Sequence, residues 1–254
     1  MSASSSSGTT ALVTGASGGI GAATALSLAA EGMNVALVAR RKDRLDELAE
    51  RIRSEGGNAL AIEADITDQL QAAGAVAQAV KAYGRLDVLV NNAGVMLLGP
   101  VESAPVEEWD RMLAINVQGL LYTTHAALPH LLAAAAGARG TADIVNISSL
   151  AGRAPIGGSA VYSLTKHGIG AFSEALRQEV SGRHVRVSLI EPGPVATELF
   201  THIRPEVLAA SAEAFADATL LHAEDIADAI RYVVTRPARV VMSELLIRPD
   251  ASQW

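Results

Sequence analysis

The sequence has no cysteine, which excludes disulfides, thiolate metal sites and a cysteine nucleophile and suits a reducing compartment such as the cytoplasm. Aromatic residues are scarce, 4% against 50% hydrophobic overall. The core must therefore come from Ala, Val, Leu and Ile, a composition suited to strands buried on both faces. Mean hydropathy is positive, +0.27, yet every long apolar stretch is broken by charge, Pro or His short of the ~18 residues a spanning helix requires. No membrane partner is expected. An extended run of Lys and Arg is also missing, and the formal net charge is -7. That argues against nucleic acid as a partner, because clustered positive charge supplies most of such affinity. The six histidines, His125 and His130 among them, lack acidic companions at ligand spacing, so no metal is expected. Residues 1–9 include a Ser-rich stretch without the basic and apolar parts of a secretory signal, and read as a flexible leader.

What the chain does have is a rhythm. From Thr10 onward, short runs of Val, Leu and Ile alternate with turns and longer Ala-rich segments of helical spacing, the pattern of βαβ units. Strands are expected near 10–14, 34–39, 58–63, 86–91, 142–148, 184–190 and 240–247. Helices are expected near 19–31, 43–55, 67–83, 107–135, 160–182 and 223–234, with Thr67 and Ser159 as candidate caps. The expected fold is a single α/β domain over 10–254, Rossmann-type and doubly wound, with a seven-stranded parallel sheet and helices on both faces. Residues 194–222, with Pro194 and Pro205 around Glu198 and Phe200, break the rhythm and read as a substrate lid. In such a sheet ligands lie beyond the carboxyl ends of the strands, so motifs should follow strands directly.

One does so at once. Thr14-Gly15-Ala16-Ser17-Gly18-Gly19-Ile20-Gly21 runs from the first strand into an Ala-rich helix. Gly15 suits a tight turn, Gly19 the approach of a pyrophosphate, and Gly21 close packing of helix on strand, while the helix N-terminus favours negative charge. Residues 15–19 also satisfy the G-x-S-x-G elbow of hydrolases. A hydrolase needs strands and an oxyanion-hole loop before its elbow, and only about ten residues precede this turn.

The second strand ends in Ala39-Arg40-Arg41, where a site for NAD would carry an acid for the ribose hydroxyls. The two guanidinium forks instead suit a 2′-phosphate, favouring NADP(H), with NAD(H) still possible. Alternatively, Arg40 and Arg41 join Lys42 and Arg44 in a solvated face that opens the next helix. Asp65 is positioned to accept from an adenine amino group or to cap a helix. Asn91-Asn92-Ala93-Gly94 closes the fourth strand where a cofactor would cross, or simply forms a turn.

Further on, Tyr162 and Lys166 in Tyr162-Ser163-Leu164-Thr165-Lys166 lie four residues apart and share one helix face. A tyrosine near pKa 10 is a poor base at neutral pH, and a nearby ammonium favours the phenolate. Ser149, ending the strand Ile144-Val145-Asn146-Ile147-Ser148-Ser149, is placed to hold a carbonyl oxygen. Singly, each has a plain alternative: Ser149 caps a turn, Tyr162 packs, and Lys166 is a solvated charge.

Taken in order, the glycine turn, Asp65, Asn91-Asn92-Ala93-Gly94, Asn116, Ser149, Tyr162 with Lys166, and Pro192-Gly193 followed by Thr197 resemble the short-chain dehydrogenase/reductase family across residues 10–250. Within it, the strings at 95–102 and 171–180 and the closing Ile247-Arg248-Pro249 are similar to an aldehyde-reducing branch of actinomycete members. The resemblance implies a catalytic tetrad of Asn116, Ser149, Tyr162 and Lys166, with Asn116 holding a water that joins Lys166 to solvent. It implies that Lys166 binds the nicotinamide ribose, that Asn92 borders the nicotinamide, and that Pro192, Gly193 and Thr197 contact its end. Ser17, Ile20, Ile66, Ala93, Gly94 and Val195 then line the cofactor beside them. The glycine turn carries Ser17 and no basic residue, so NADP preference leans on Arg40 and Arg41. The implied activity is reversible, NADPH-dependent reduction of a ketone or aldehyde by a homo-oligomer, dimer or tetramer. A 3-oxoacyl thioester reductase and a non-catalytic nucleotide sensor are the alternatives.

Overall fold

The computed structural model describes residues 8–210 and 219–250; most of the expected leader and residues 211–218 of the expected lid lie outside the described residues. Seven strands, β1 (Thr10–Thr14), β2 (Asn34–Ala39), β3 (Asn58–Glu63), β4 (Val88–Asn91), β5 (Ala142–Ile147), β6 (Val185–Pro192) and β7 (Glu244–Ile247), form one sheet. Every pairing is parallel. The order is β3-β2-β1-β4-β5-β6-β7, so winding reverses between β1 and β4, where a crevice opens at the carboxyl ends.

The interior strands are apolar at both parities because both faces are covered. Ala11 and Val13 of β1 point into one core cluster, whereas Leu12 joins the other. The first layer packs α1 (Gly19–Ala30), α2 (Lys42–Ser54) and, near the chain's end, α8 (Ala223–Val234) on the sheet. Opposite lie α3 (Gln69–Tyr83), the continuous run of α4 (Val106–Met112) with α5 (Leu120–Ala135), and α6 (Ala160–Val180).

The element boundaries differ from expectation for local reasons. Asp68, not Thr67, caps α3, accepting from the N–H groups of Leu70 at 2.8 Å and Gln71 at 3.0 Å. Ser159 precedes α6 but makes no side-chain cap there; its hydroxyl donates to the Ile156 carbonyl. β6 starts only at Val185 because His184 is left-handed, φ 61°. Between α4 and α5, Leu113–Gly119 widens into a π-helix, a local rewinding often found at functional positions.

At the floor of the sheet, remote from the crevice, Asp143 takes both Nε (2.7 Å) and Nη2 (3.0 Å) of the buried Arg186. Arg139 also reaches it, at 2.7 Å. Beyond β6 the chain turns through a short helical segment, Glu198–His202, and α7 (Pro205–Ala210). It then returns to its starting point: Leu221 N–H donates to Pro194 O at 2.9 Å and Ala196 N–H to Leu221 O at 2.8 Å.

Candidate active site

Above the β1/β4 reversal lies a cleft of 1140 Å³. The glycine turn forms its floor. Gly15 and Gly19 have φ of +67° and +53°, a region costly for residues with a Cβ. A Cβ on Gly21 would run into Gly15 O, so the helix packs against the turn that introduces it. α1 starts with neither a capping side chain nor an acid in its first turn, leaving the positive end of the helix dipole available to an anion.

Asn92 holds this turn from β4. Its amide donates to Thr14 O at 2.9 Å, while Thr14 Oγ1 accepts the N–H groups of Asn92 and Ala93. The Asn92 side chain is thus committed to the glycine turn, although the residue still borders the cleft with Ala93 and Gly94. Asp65 makes a local turn, its Oδ1 accepting from Thr67 N–H at 3.0 Å and Thr67 Oγ1 at 2.8 Å, and its Oδ2 lies 4.0 Å from Arg40. Both arginines border the cleft, but they differ. Arg40 is 61% exposed, whereas Arg41 is fastened to Ser17 Oγ through Nε (3.1 Å) and Nη2 (2.9 Å). Ile20, Ile66, Pro192, Gly193, Val195 and Thr197 line the same space.

Tyr162 and Lys166, one turn apart on α6, are both 6% exposed. Lys166 Nζ sits 5.7 Å from the Tyr162 ring centre and donates to Ile147 O, the last carbonyl of β5, at 2.9 Å. The loop after β5 then brings in Ser149. Its Oγ accepts from Ala151 N–H at 3.1 Å and lies beside the Tyr162 hydroxyl, whose ionised form it favours, so it both caps a turn and neighbours the tyrosine. Close approach of this loop to α6 needs Gly152, where a Cβ would lie 3.0 Å from Lys166 O.

Burial dominates the proton affinities here. It pushes the Tyr162 phenol up to about 12, opposed by the Ser149 hydroxyl, and pulls the Lys166 ammonium down to about 8. Burial thus outweighs the expected downward pull of Lys166, and the phenol keeps its proton at neutral pH.

Asn116 lies in the π-helical stretch and is buried. Its Oδ1 accepts from Val95 N–H at 2.8 Å, and its amide donates to Val95 O at 2.9 Å and Thr165 Oγ1 at 3.2 Å. The side chain therefore braces the segment after β4 against α6. Sequence reasoning missed two residues. Arg153 binds the buried Glu191 through Nε at 2.7 Å and Nη2 at 2.8 Å, tying the Ser149 loop to the end of β6. Glu198 reaches over the glycine turn to Arg41 at 2.8 Å and Arg44 at 2.6 Å. Neither had a local signal, because the partners are remote in sequence. Met96, Leu98, Ile156, Leu199 and Phe200 form an apolar wall beyond Tyr162.

Among the described residues no cluster suits a metal ion, and no helix is long and apolar enough to cross a membrane.

The short chain dehydrogenase family model matches residues 9–208. Sulfoacetaldehyde reductase 2 of Chromohalobacter salexigens is 37% identical over 96% of this chain and 95% of that protein. Glycine betaine reductase ATRR of Emericella nidulans is 39% identical over 96% of this chain, which spans only 19% of that longer protein. Among solved structures, the closed form of a serine dehydrogenase complexed with NADP+ superposes with a TM-score of 0.87 at 32% identity, covering 96% of both chains. An alcohol dehydrogenase of Thermococcus sibiricus, complexed with 5-hydroxy-NADP, does so with a TM-score of 0.85 at 26% identity, covering 96% of this chain and 98% of the other. The tyrosine and lysine one turn apart, the glycine turn and the β1/β4 crevice thus sit in a matching frame, and the chain belongs to the short-chain dehydrogenase/reductase family, oxidoreductases acting on CH–OH and C=O groups.

Proposed function

We propose that this protein is an NADPH-dependent reductase of ketones or aldehydes that runs in reverse as an alcohol dehydrogenase. The observation that carries the reading is a buried phenol, Tyr162, beside Ser149 and with Lys166 one turn away, in the cleft shared with the glycine turn and two arginines.

The residues fit a dinucleotide. The left-handed Gly15 and Gly19 with the uncapped start of α1 suit its diphosphate, Arg40 and Arg41 its 2′-phosphate, Asp65 and Ile66 its adenosine, and Asn92, Ala93, Gly94, Pro192, Gly193, Val195 and Thr197 its nicotinamide half. The NADP-bound state of the solved relatives supports this choice, and NAD(H) remains usable. When bound, the dinucleotide supplies hydride to the carbonyl carbon.

The chain's own groups do the rest. Ser149 and Tyr162 hold the carbonyl oxygen between two hydroxyls, and the Tyr162 O–H passes its proton to that oxygen as negative charge develops. A phenol kept protonated by burial is in the state this direction needs. The Lys166 ammonium, close to the ring, favours the phenolate left behind, and Asn116 keeps the π-helical stretch and α6 in register. We assign residues 194–222 as the substrate lid. Leu113, Leu121 and Leu164 are exposed on the 106–135 and 160–180 helices, supporting a homo-oligomer, dimer or tetramer, and the cysteine-free sequence suits the cytoplasm. The apolar wall favours hydrophobic carbonyl compounds; a solved relative described as a 3-ketoacyl-ACP reductase, 35% identical with a TM-score of 0.82, makes 3-oxoacyl thioesters the second class to test.

The test is NADPH oxidation against aldehydes, ketones and β-keto esters, with Tyr162→Phe in parallel. Positioned proton transfer contributes ~10²–10⁴-fold, so turnover should fall by at least that range; retained turnover refutes the role of Tyr162.

A further inference from the structure

Glu198 does nothing in the chemistry described above, yet it occupies a telling place. Its two oxygens are divided between two guanidinium groups, Oε2 to Arg41 Nη1 at 2.8 Å and Oε1 to Arg44 Nη1 at 2.6 Å. The carboxylate spans the arginines as an oxyanion ligand would, and it comes from the opposite wall of the cleft, 157 residues further along the chain. Beneath it lies Gly18, where a Cβ would stand 3.7 Å from Glu198 Oε2. A Cβ on Gly19 would stand 3.1 Å from the adjoining Thr197.

We propose that Glu198 selects between cofactors: its carboxylate competes with the 2′-phosphate of NADP(H) for Arg41, holding down the preference for NADPH over NADH while it fastens the 197–202 turn across the glycine turn. The proposal rests on the reading that the 2′-phosphate lies at Arg40 and Arg41.

Charge and geometry carry it. A phosphate monoester brings about 1.5–2 negative charges at pH 7. Arg40 and Arg41 offer the phosphate two positive charges, and Glu198 already draws on that of Arg41. The remaining nitrogens of Arg41 are tied to Ser17, so its Nη1 is the donor that phosphate and carboxylate share. Either the carboxylate leaves or two anions crowd one fork, and each route weakens the phosphorylated cofactor alone. The two guanidinium groups hold the Glu198 carboxyl down at about 2, so it stays ionised throughout any practical pH range. Nearby His202 faces Arg111, Arg41, Glu198 and Arg40, and Arg40, whose ion-pair partner is Asp65 at 4.0 Å, offers the phosphate a second anchor. A strap with no electrostatic role would instead affect NADPH and NADH alike.

The experiment is Glu198→Gln in the full chain, which keeps shape and removes charge. KM would be measured for NADPH and NADH, and dissociation constants for 2′,5′-ADP and 5′-AMP by calorimetry as activity-independent probes. At a solvent-exposed ion pair the expected gain is about twofold to fivefold for NADPH and 2′,5′-ADP, with NADH and 5′-AMP unchanged within error. Equal changes in both cofactors, or weaker NADPH binding, overturn the proposal. Arg41→Ala separates the two layers. If it lowers the NADPH preference while Glu198→Gln fails to raise it, only the role of Glu198 falls. If Arg41→Ala leaves the preference unchanged, the 2′-phosphate assignment and this proposal fall together.

Discussion

Two glycines in different surroundings should answer the same substitution with opposite signs. At Gly21 an added methyl would run into Gly15 O and would stand 2.6 Å from Asn92 Nδ2 and 2.8 Å from Gly15 C. Two of these atoms are backbone of a turn that Asn92 and Thr14 already hold, so no flexible side chain can give way. Overpacking of this kind costs about 1–3 kcal/mol, and in a chain of this length each kcal/mol lowers Tm by about 2–4 °C. At Gly74, inside α3, an added methyl meets nothing within 4 Å, and Gly→Ala in such a helix gains about 0.5–1 kcal/mol. Thermal unfolding of Gly21→Ala and Gly74→Ala, with NADPH affinity measured alongside, tests the pair. Gly21→Ala should melt several degrees lower and bind NADPH more weakly, while Gly74→Ala should melt slightly higher with binding unchanged. A Gly21→Ala protein as stable as the parent would show that the helix start can slide away from the turn, which refutes the reasoning.

Arg40→Asp should raise the KM for NADPH far more than that for NADH; an unchanged cofactor ratio would reject the assignment of this arginine. Because burial lowers the Lys166 ammonium to about 8 while Tyr162 stays protonated up to about 12, the reductive kcat/KM should hold on the acid side and decline above about pH 8 as Lys166 loses its charge. A profile unchanged in Lys166→Met would assign that limb elsewhere. Removing the partner of a buried guanidinium leaves an uncompensated charge, so Asp143→Ala should destabilise by about 3–5 kcal/mol through Arg186, with cofactor selectivity unaltered. Denaturant titration showing less than about 1 kcal/mol would mean that Arg186 finds water instead.

The sheet was legible because strands buried on both faces read as continuous Val, Leu and Ile runs, and because Gly15 follows Thr14 at a strand-to-helix junction. Tyr162 with Lys166 was legible because helical spacing places residues four apart on one face. The π-helical stretch was not: Leu113-Ala114-Ile115-Asn116 has no residue that forbids an ordinary helix, and the widening accompanies Asn116 pairing with the Val95 backbone. Asn92 pointed to the cofactor from its place at a strand end, yet its amide is occupied by Thr14. Nor could spacing show that burial of Tyr162 would outweigh its lysine, since exclusion of water depends on elements such as α4 and the Ser149 loop that are distant in sequence. The link from Glu198 to Arg41 and Arg44 likewise exists only once the chain after β6 has folded back over α1.

That fold-back also returns to its own root, with Pro194 and Ala196 bonded to Leu221. These anchors close a loop at its root, and the entropy of closing a loop grows only slowly with its length, by about 0.6 kcal/mol for each doubling. Changes of length between Ala210 and Leu220 should therefore cost little stability, while Thr197 and Glu198, tied to the glycine turn and to Arg41 and Arg44, keep their places. The bridge where Val195 meets Leu221 is the fixed end of a segment whose length is free to change.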